Sequence, residues 1–182
     1  MNSSRRIFEF AHMLRLSVLI ALQVVMSRFL SFSTFSVKLG FGFVPVMLAG
    51  ALYGVPGGLV CAALSDIIGA LLFPIGKYFI GYTITAALTG VLYGYFFSTP
   101  KNALYPVRIL LAYAINAVVV TMGLNTLCIA YQYGDKSISI WARFLVYLPK
   151  RAIEAAVMLP VQFTLTYLLM YRMRLDEKLL KI

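Results

Sequence analysis

Residues 41–73, FGFVPVMLAGALYGVPGGLVCAALSDIIGALLF, carry a single charged side chain, Asp66. No other feature limits the fold of this chain so strongly. Crossing the hydrocarbon core of a bilayer takes about 20 apolar residues, ~17–25 in practice. Inside that layer the backbone must satisfy its own hydrogen bonds, which leaves helices or closed barrels. The rest of the chain agrees with a membrane setting. Hydrophobic residues make up 62% and charged residues 12%, against about 45–50% and 25% in water-soluble domains. The length fits one integral membrane domain, residues 1–182. Apolar runs place spans at 14–30, 41–54, 57–73, 79–97, 107–130 and 141–171, broken by VPGG at 55–58, STPKNALYP and YQYGDKSIS. The expectation is an all-α, polytopic protein of six transmembrane helices.

Six spans put both termini on one side. The tails and the fourth-to-fifth loop hold nine basic residues: Arg5, Arg6, Arg15, Lys101, Arg108, Arg172, Arg174, Lys178 and Lys181. The other side holds seven: Arg28, Lys38, Lys77, Lys136, Arg143, Lys150 and Arg151. Basic residues favour the cytoplasmic side, so the termini are expected there if the outer seven have another task. The net charge of +10 belongs to these flanks and to anionic lipid, not to nucleic acid. The start MNSSRRIFEFAH lacks the small-residue site of a cleavable signal, so insertion is expected to use the first span.

Catalytic groups are scarce. His12 is the only histidine, and Cys61 and Cys128 lie in apolar segments without a CxxC partner. No HExxH motif, Walker A loop or metal-ligand cluster occurs. An enzyme is not expected, nor a metal or cofactor in this chain.

Binding groups are better represented. An acid in mid-span costs roughly 2.5–3.5 kcal/mol on insertion scales and normally faces a cavity or a partner. Asp66 is followed at helical spacing by Gly69 and Phe73, after which Pro74 and Gly76 stop the helix before Lys77. Glu154 follows Arg151 by three residues and Lys150 by four, a spacing that pairs charges locally. Interrupted segments at membrane depth are tolerated where they line a cavity. Here they cluster opposite the termini, which implies an outward-facing cavity capped by loops. Phe32, Phe35, Phe41, Phe43, Phe73, Tyr78, Phe79 and Tyr82 surround that region, interleaved with Arg28, Lys38 and Lys77. Flat rings can sandwich a flat ligand while cations hold its anionic end. Small residues mark a close-packing face at Gly90 and Gly94, and Ser17, Ala21, Val25 and Arg28 fall on one face of the first helix.

SRFLSFSTFSVKLGFGFVPVMLAGALYG, ALSDIIGALLFPIGKYFIGYTITAALTGVLYG and the later PKRAIEAAVMLPVQ resemble the folate-specific S components of energy-coupling-factor (ECF) vitamin transporters. That resemblance implies a six-helix protein of the bacterial cell membrane that captures folate outside, capped by loops at 31–40, 74–79 and 131–139. It also implies docking to a transmembrane coupling protein and two ATPase subunits, which alone would use ATP. In the family, small residues on the first helix face the coupling protein. Ser17, Ala21 and Val25 occupy that position here, with Val25 departing from the alanine pattern. Folate has a flat pterin with a two-donor edge suited to a carboxylate, and a doubly negative tail. The ligand-binding candidates are accordingly Arg28, Phe35, Lys38, Gly40, Phe43, Asp66, Gly69, Phe73, Gly76, Lys77, Tyr78, Tyr82, Asn116 and Arg151. Asp66 is expected on the pterin, and Arg28, Lys38, Lys77 and Arg151 around the tail. Two alternatives stand beside this reading: an S component for a different vitamin or precursor, or a self-sufficient small-molecule transporter.

Overall fold

The structure is a computed structural model. It describes the backbone of residues 3–34, 37–74, 77–98, 105–134 and 137–172, and side chains within 12–30, 40–74, 77–98, 105–134 and 137–170. Helix α1 spans Ser3–Arg28 and leads into an antiparallel hairpin of β1 (Ser31–Thr34) and β2 (Val37–Gly40). Helix α2 is Phe43–Leu72 and α3 is Ile80–Phe97. Helix α4 (Tyr105–Ile115) continues without a break through a π-helical segment, Asn116–Asn125, into α5 (Thr126–Tyr133). Helix α6 (Ile140–Thr166) ends in a second π-helical segment, Tyr167–Arg172. Among the described residues, four helical stretches are long and apolar enough to cross a membrane: Phe43–Leu72, Ile80–Phe97, Tyr105–Tyr133 and Ile140–Met170.

The runs expected as separate spans at 41–54 and 57–73 form one element with a break. Gly54 sits at φ 68°, ψ −155°, a region open essentially to glycine alone. Two residues on, Pro56 lacks an N–H and its ring would clash with a carbonyl one turn back in a continuous helix. The bend at Gly54 relieves that clash and splits α2 into two arms.

Both arms lie against α3 through glycines. A Cβ on Gly50 would stand 2.8 Å from the Gly94 nitrogen, and a Cβ on Gly58 or Gly90 would strike the other's carbonyl. Lipid supplies no hydrophobic force between helices, so such close backbone approach drives their association. The expected packing role of Gly90 and Gly94 is realised against Gly58 and Gly50.

The core is aromatic. Tyr113 meets Tyr93 at 5.2 Å, Phe97 at 5.8 Å and Phe43 at 5.9 Å between ring centroids. Its hydroxyl is hydrogen-bonded to Thr166, which ties α4 to α6. At one end of the bundle His12 packs edge-on to Tyr53, rings 5.4 Å apart, beside the Gly54 bend. At the other end the termini of several elements converge. Phe29 packs on Phe73 at 5.1 Å, Phe79 stacks on Tyr131 at 5.7 Å, and Gln132 donates to the Lys77 carbonyl at 2.6 Å.

Candidate ligand-binding site

A cavity of about 770 Å³ opens at that second end, lined by α1, the end of the hairpin, α2, Pro74 and residues 77–79, α3, the Asn116–Asn125 segment, α5 and α6. Phe43 and Tyr93 belong to both the aromatic core and the cavity wall, so the packed core forms its floor. Of the sequence-derived candidates, Arg28, Gly40, Phe43, Asp66, Lys77, Tyr78, Tyr82, Asn116 and Arg151 line it. Phe35 and Gly76 lie outside the described residues, as does the side chain of Lys38.

Two candidates stand elsewhere. Phe73 packs on Phe29 at the rim and does not line the cavity. Gly69 lies behind Arg28: a Cβ there would stand 2.8 Å from the Arg28 Nε. The glycine leaves room for the guanidinium to lie flat along α2, so it serves Arg28 and is not itself a wall residue.

The charges are disposed unequally. Asp66 accepts a hydrogen bond at Oδ2 from the buried Thr83 hydroxyl, 2.7 Å away, and its Oδ1 has no partner among the described residues. Thr83 in turn lies 2.8 Å from the Tyr78 hydroxyl. Arg151 is bound to Glu154, the local pairing read from their spacing, and the pair presents little net charge. Arg28 has no ion pair or hydrogen bond among the described residues, although it lines the cavity. The site thus offers a half-satisfied carboxylate and an uncommitted guanidinium, both able to take charge-assisted hydrogen bonds from a ligand.

Polar residues that sequence reasoning missed complete the wall: Gln23 and Ser27 on α1, Thr85 and Thr89 on α3, Asn125, and Gln162 on α6. Gln23 and Ser27 are one helical turn apart beside Arg28, and Thr85 and Thr89 are likewise one turn apart. Such spacing was the available signal. Thr89 Oγ1 lies 2.9 Å from Asn116 Oδ1 and 3.1 Å from the Thr85 carbonyl. Thr85 Oγ1 lies 2.7 Å from Asn125 Oδ1 and 2.9 Å from the Tyr82 carbonyl. Each hydroxyl has one proton for two acceptors. Turning each amide to donate to its threonine satisfies all four contacts and exposes the amide oxygens.

A bundle of apolar helices enclosing a polar, charged cavity at one end defines a membrane protein that holds a small molecule. The profile described as "ECF transporter, substrate-specific component" matches residues 11–170, and the chain belongs to that family. It is therefore a substrate-binding component of a transporter and not an enzyme. The chain is 34% identical over 155 residues to "Folate transporter FolT" of Clostridium novyi (strain NT), covering 85% of each. It is 30% identical over 156 residues to "Folate transporter FolT" of Leuconostoc mesenteroides subsp. mesenteroides, covering 85% of this chain and 82% of the relative. Among solved structures it resembles "Crystal structure of FolT bound with folic acid" with a TM-score of 0.71 and 34% identity, covering 84% of this chain and 86% of that one.

Proposed function

We propose that this chain is a folate-binding S component of an ECF-type importer. The observation that carries this reading is the likeness to a folic-acid-bound structure along 84% of the chain. The cavity chemistry supports it independently. Asp66 would take the donor edge of the pterin, and Arg28 the negative tail, with Lys38, Lys77 and Arg151 around the mouth. Phe43, Tyr78 and Tyr82, with Phe35, would flank the rings, and Asn116 would hold a polar edge. Gly40 and Gly76 would let the backbone pass close to the ligand, and Gly69 and Phe73 would support Arg28 and the rim.

On this reading the whole chain is one membrane domain. Six crossings arise from α1, the two arms of α2, α3, the continuous helix 105–133, and α6. The cavity faces outward, both termini are cytoplasmic, and the seven outer basic residues draw an anionic vitamin toward the mouth. Ser17, Ala21 and Val25 dock the coupling protein, whose two ATPase partners supply the energy.

Calorimetric titration of the purified protein tests the ligand. Folate is expected to bind one to one and to resist displacement by riboflavin or a pyrimidine vitamin in excess. Displacement of folate by either, or no binding of folate at all, would overturn the assignment.

A further inference from the structure

Asp66 projects from α2 between turns that lend it no support. The residues one turn before and about one turn after it are Ala62 and Gly69, neither of which bears a polar side chain. The last torsion of an aspartate is broad and roughly two-fold, so the backbone alone does not fix the carboxylate plane. Among the described residues, the one donor that does so is Thr83, near the start of α3, at 2.7 Å from Oδ2. Thr83 is buried to 7% exposure, which leaves water little chance to take its place.

The direction of this contact follows from proton counting. A hydroxyl has one proton, and here it goes to the carboxylate. The 2.8 Å contact between Thr83 and Tyr78 must then run from the Tyr78 hydroxyl to the Thr83 oxygen. The result is a directed chain, Tyr78 to Thr83 to Asp66, in which each bond polarises the next. It fixes the acid through one lone pair of Oδ2 and leaves Oδ1 and the second lone pair of Oδ2 able to accept from a ligand in the cavity that Asp66 lines.

We propose that Thr83 is a positioning residue that sets specificity: by fixing the plane of Asp66 it makes binding depend on a ligand edge with two coplanar donors. This rests on the folate reading given above. A bidentate pair needs the carboxylate held within about 10–20° of the productive geometry. Tyr78, just before α3, extends the same control to residues 77–79, which line the cavity.

The experiment is a folate titration of the full-length purified protein and its variants. Thr83→Val keeps the shape and removes the hydroxyl, and is expected to weaken folate binding by about tenfold or more. Thr83→Ser restores the hydroxyl and should stay within about threefold of the unmodified protein. Tyr78→Phe should weaken binding by an intermediate factor, and should add nothing when combined with Thr83→Val. Pteroic acid, which lacks the glutamate tail, should lose the same factor as folate in Thr83→Val. Unchanged folate affinity in Thr83→Val, equal weakness of the Ser and Val variants, or additive effects of Tyr78→Phe and Thr83→Val would each overturn the role of Thr83. So would a smaller loss for pteroic acid than for folate. If Thr83→Val does not fold, Tyr78→Phe decides alone, and unchanged affinity there overturns the proposal. Failure of the unmodified protein to bind folate would instead sink the functional reading.

Discussion

At the scale of single residues, the site is governed by which charges are already spent. Arg151 is neutralised by Glu154 on its own helix, whereas Arg28 lies along Gly69 with no acceptor among the described residues. Asp66 is half spent, with one oxygen on Thr83. The two free charges should therefore carry more of the affinity than the paired one. Asp66→Asn is expected to weaken folate binding by about 1.5–3 kcal/mol, the range for a hydrogen bond to a charged group, which is roughly ten- to a hundredfold. The loop acid Asp135, changed to Asn, should alter the affinity by less than about threefold. Equal affinities of the two variants in a calorimetric titration would remove Asp66 from the site. Asp66 was legible in the sequence because a lone acid in 33 apolar residues (41–73) needs a reason. The support given by Thr83 was not, because a threonine in an apolar helix looks the same whether it packs or donates. Gly69 was noticed for the wrong reason, since a missing side chain does not say whose space it leaves.

The elements show the same division between what periodicity reveals and what it hides. At 3.6 residues per turn, Asn116 and Asn125 would face opposite ways, being two and a half turns apart. The π-helical segment Asn116–Asn125 widens the turn to i→i+5, so the same interval becomes about two turns and both amides reach the cavity. No sequence pattern announced that change of pitch, and so Asn125 escaped notice while Asn116 did not. The hairpin was hidden differently. SFST and VKLG pair in register from Ser31 with Gly40 to Thr34 with Val37, but two four-residue strands carry too little alternation to stand out from an ordered loop. The close packing of α2 on α3, by contrast, was partly visible in Gly90 and Gly94. Its consequence can be measured. Gly90→Ala places a methyl group against the Gly58 carbonyl and the Leu59 nitrogen, backbone atoms that cannot turn aside. A cost of about 1–3 kcal/mol is expected, seen as a lower thermal unfolding midpoint in detergent. Gly123→Ala, whose nearest contact would be the Val118 oxygen at 3.4 Å, should leave that midpoint nearly unchanged. Equal midpoints for the two variants would mean that the α2–α3 contact is looser than described.

For the whole molecule, α1 is the element that joins two tasks. Leu19 and Val24 bury one side of it in the bundle, and Gln23, Ser27 and Arg28 reach the cavity. Ser17, Ala21 and Val25 lie on the exposed side. Ser17 spends its hydroxyl on the Met13 carbonyl, 2.9 Å away within the same helix, so the stripe presents small, satisfied surface to whatever lies beside it. Leu14, Val18 and Phe29 extend that side with exposed apolar area, which lipid can cover until a partner helix replaces it. Capture would then use the carboxyl-terminal turns of α1 and docking its exposed stripe, where Ala21 lies seven residues, about 10 Å along the axis, before Arg28, and a substitution at Ala21 should separate them. Ala21→Trp adds bulk where docking would need close helix approach, and Ala21 is not a cavity-lining residue. Purified Ala21→Trp is expected to bind folate within about threefold of the unmodified protein. Co-reconstituted in liposomes with the coupling protein, both ATPases and ATP, it should accumulate less than about a tenth as much folate. The unmodified chain without its partners should accumulate none. Uptake by the chain alone would identify a self-sufficient transporter, and normal uptake by Ala21→Trp with its partners would move the docking face elsewhere. Loss of binding in that variant would show that the two tasks of α1 are not independent, because a change outside the cavity had then deformed the wall that carries Gln23 and Arg28.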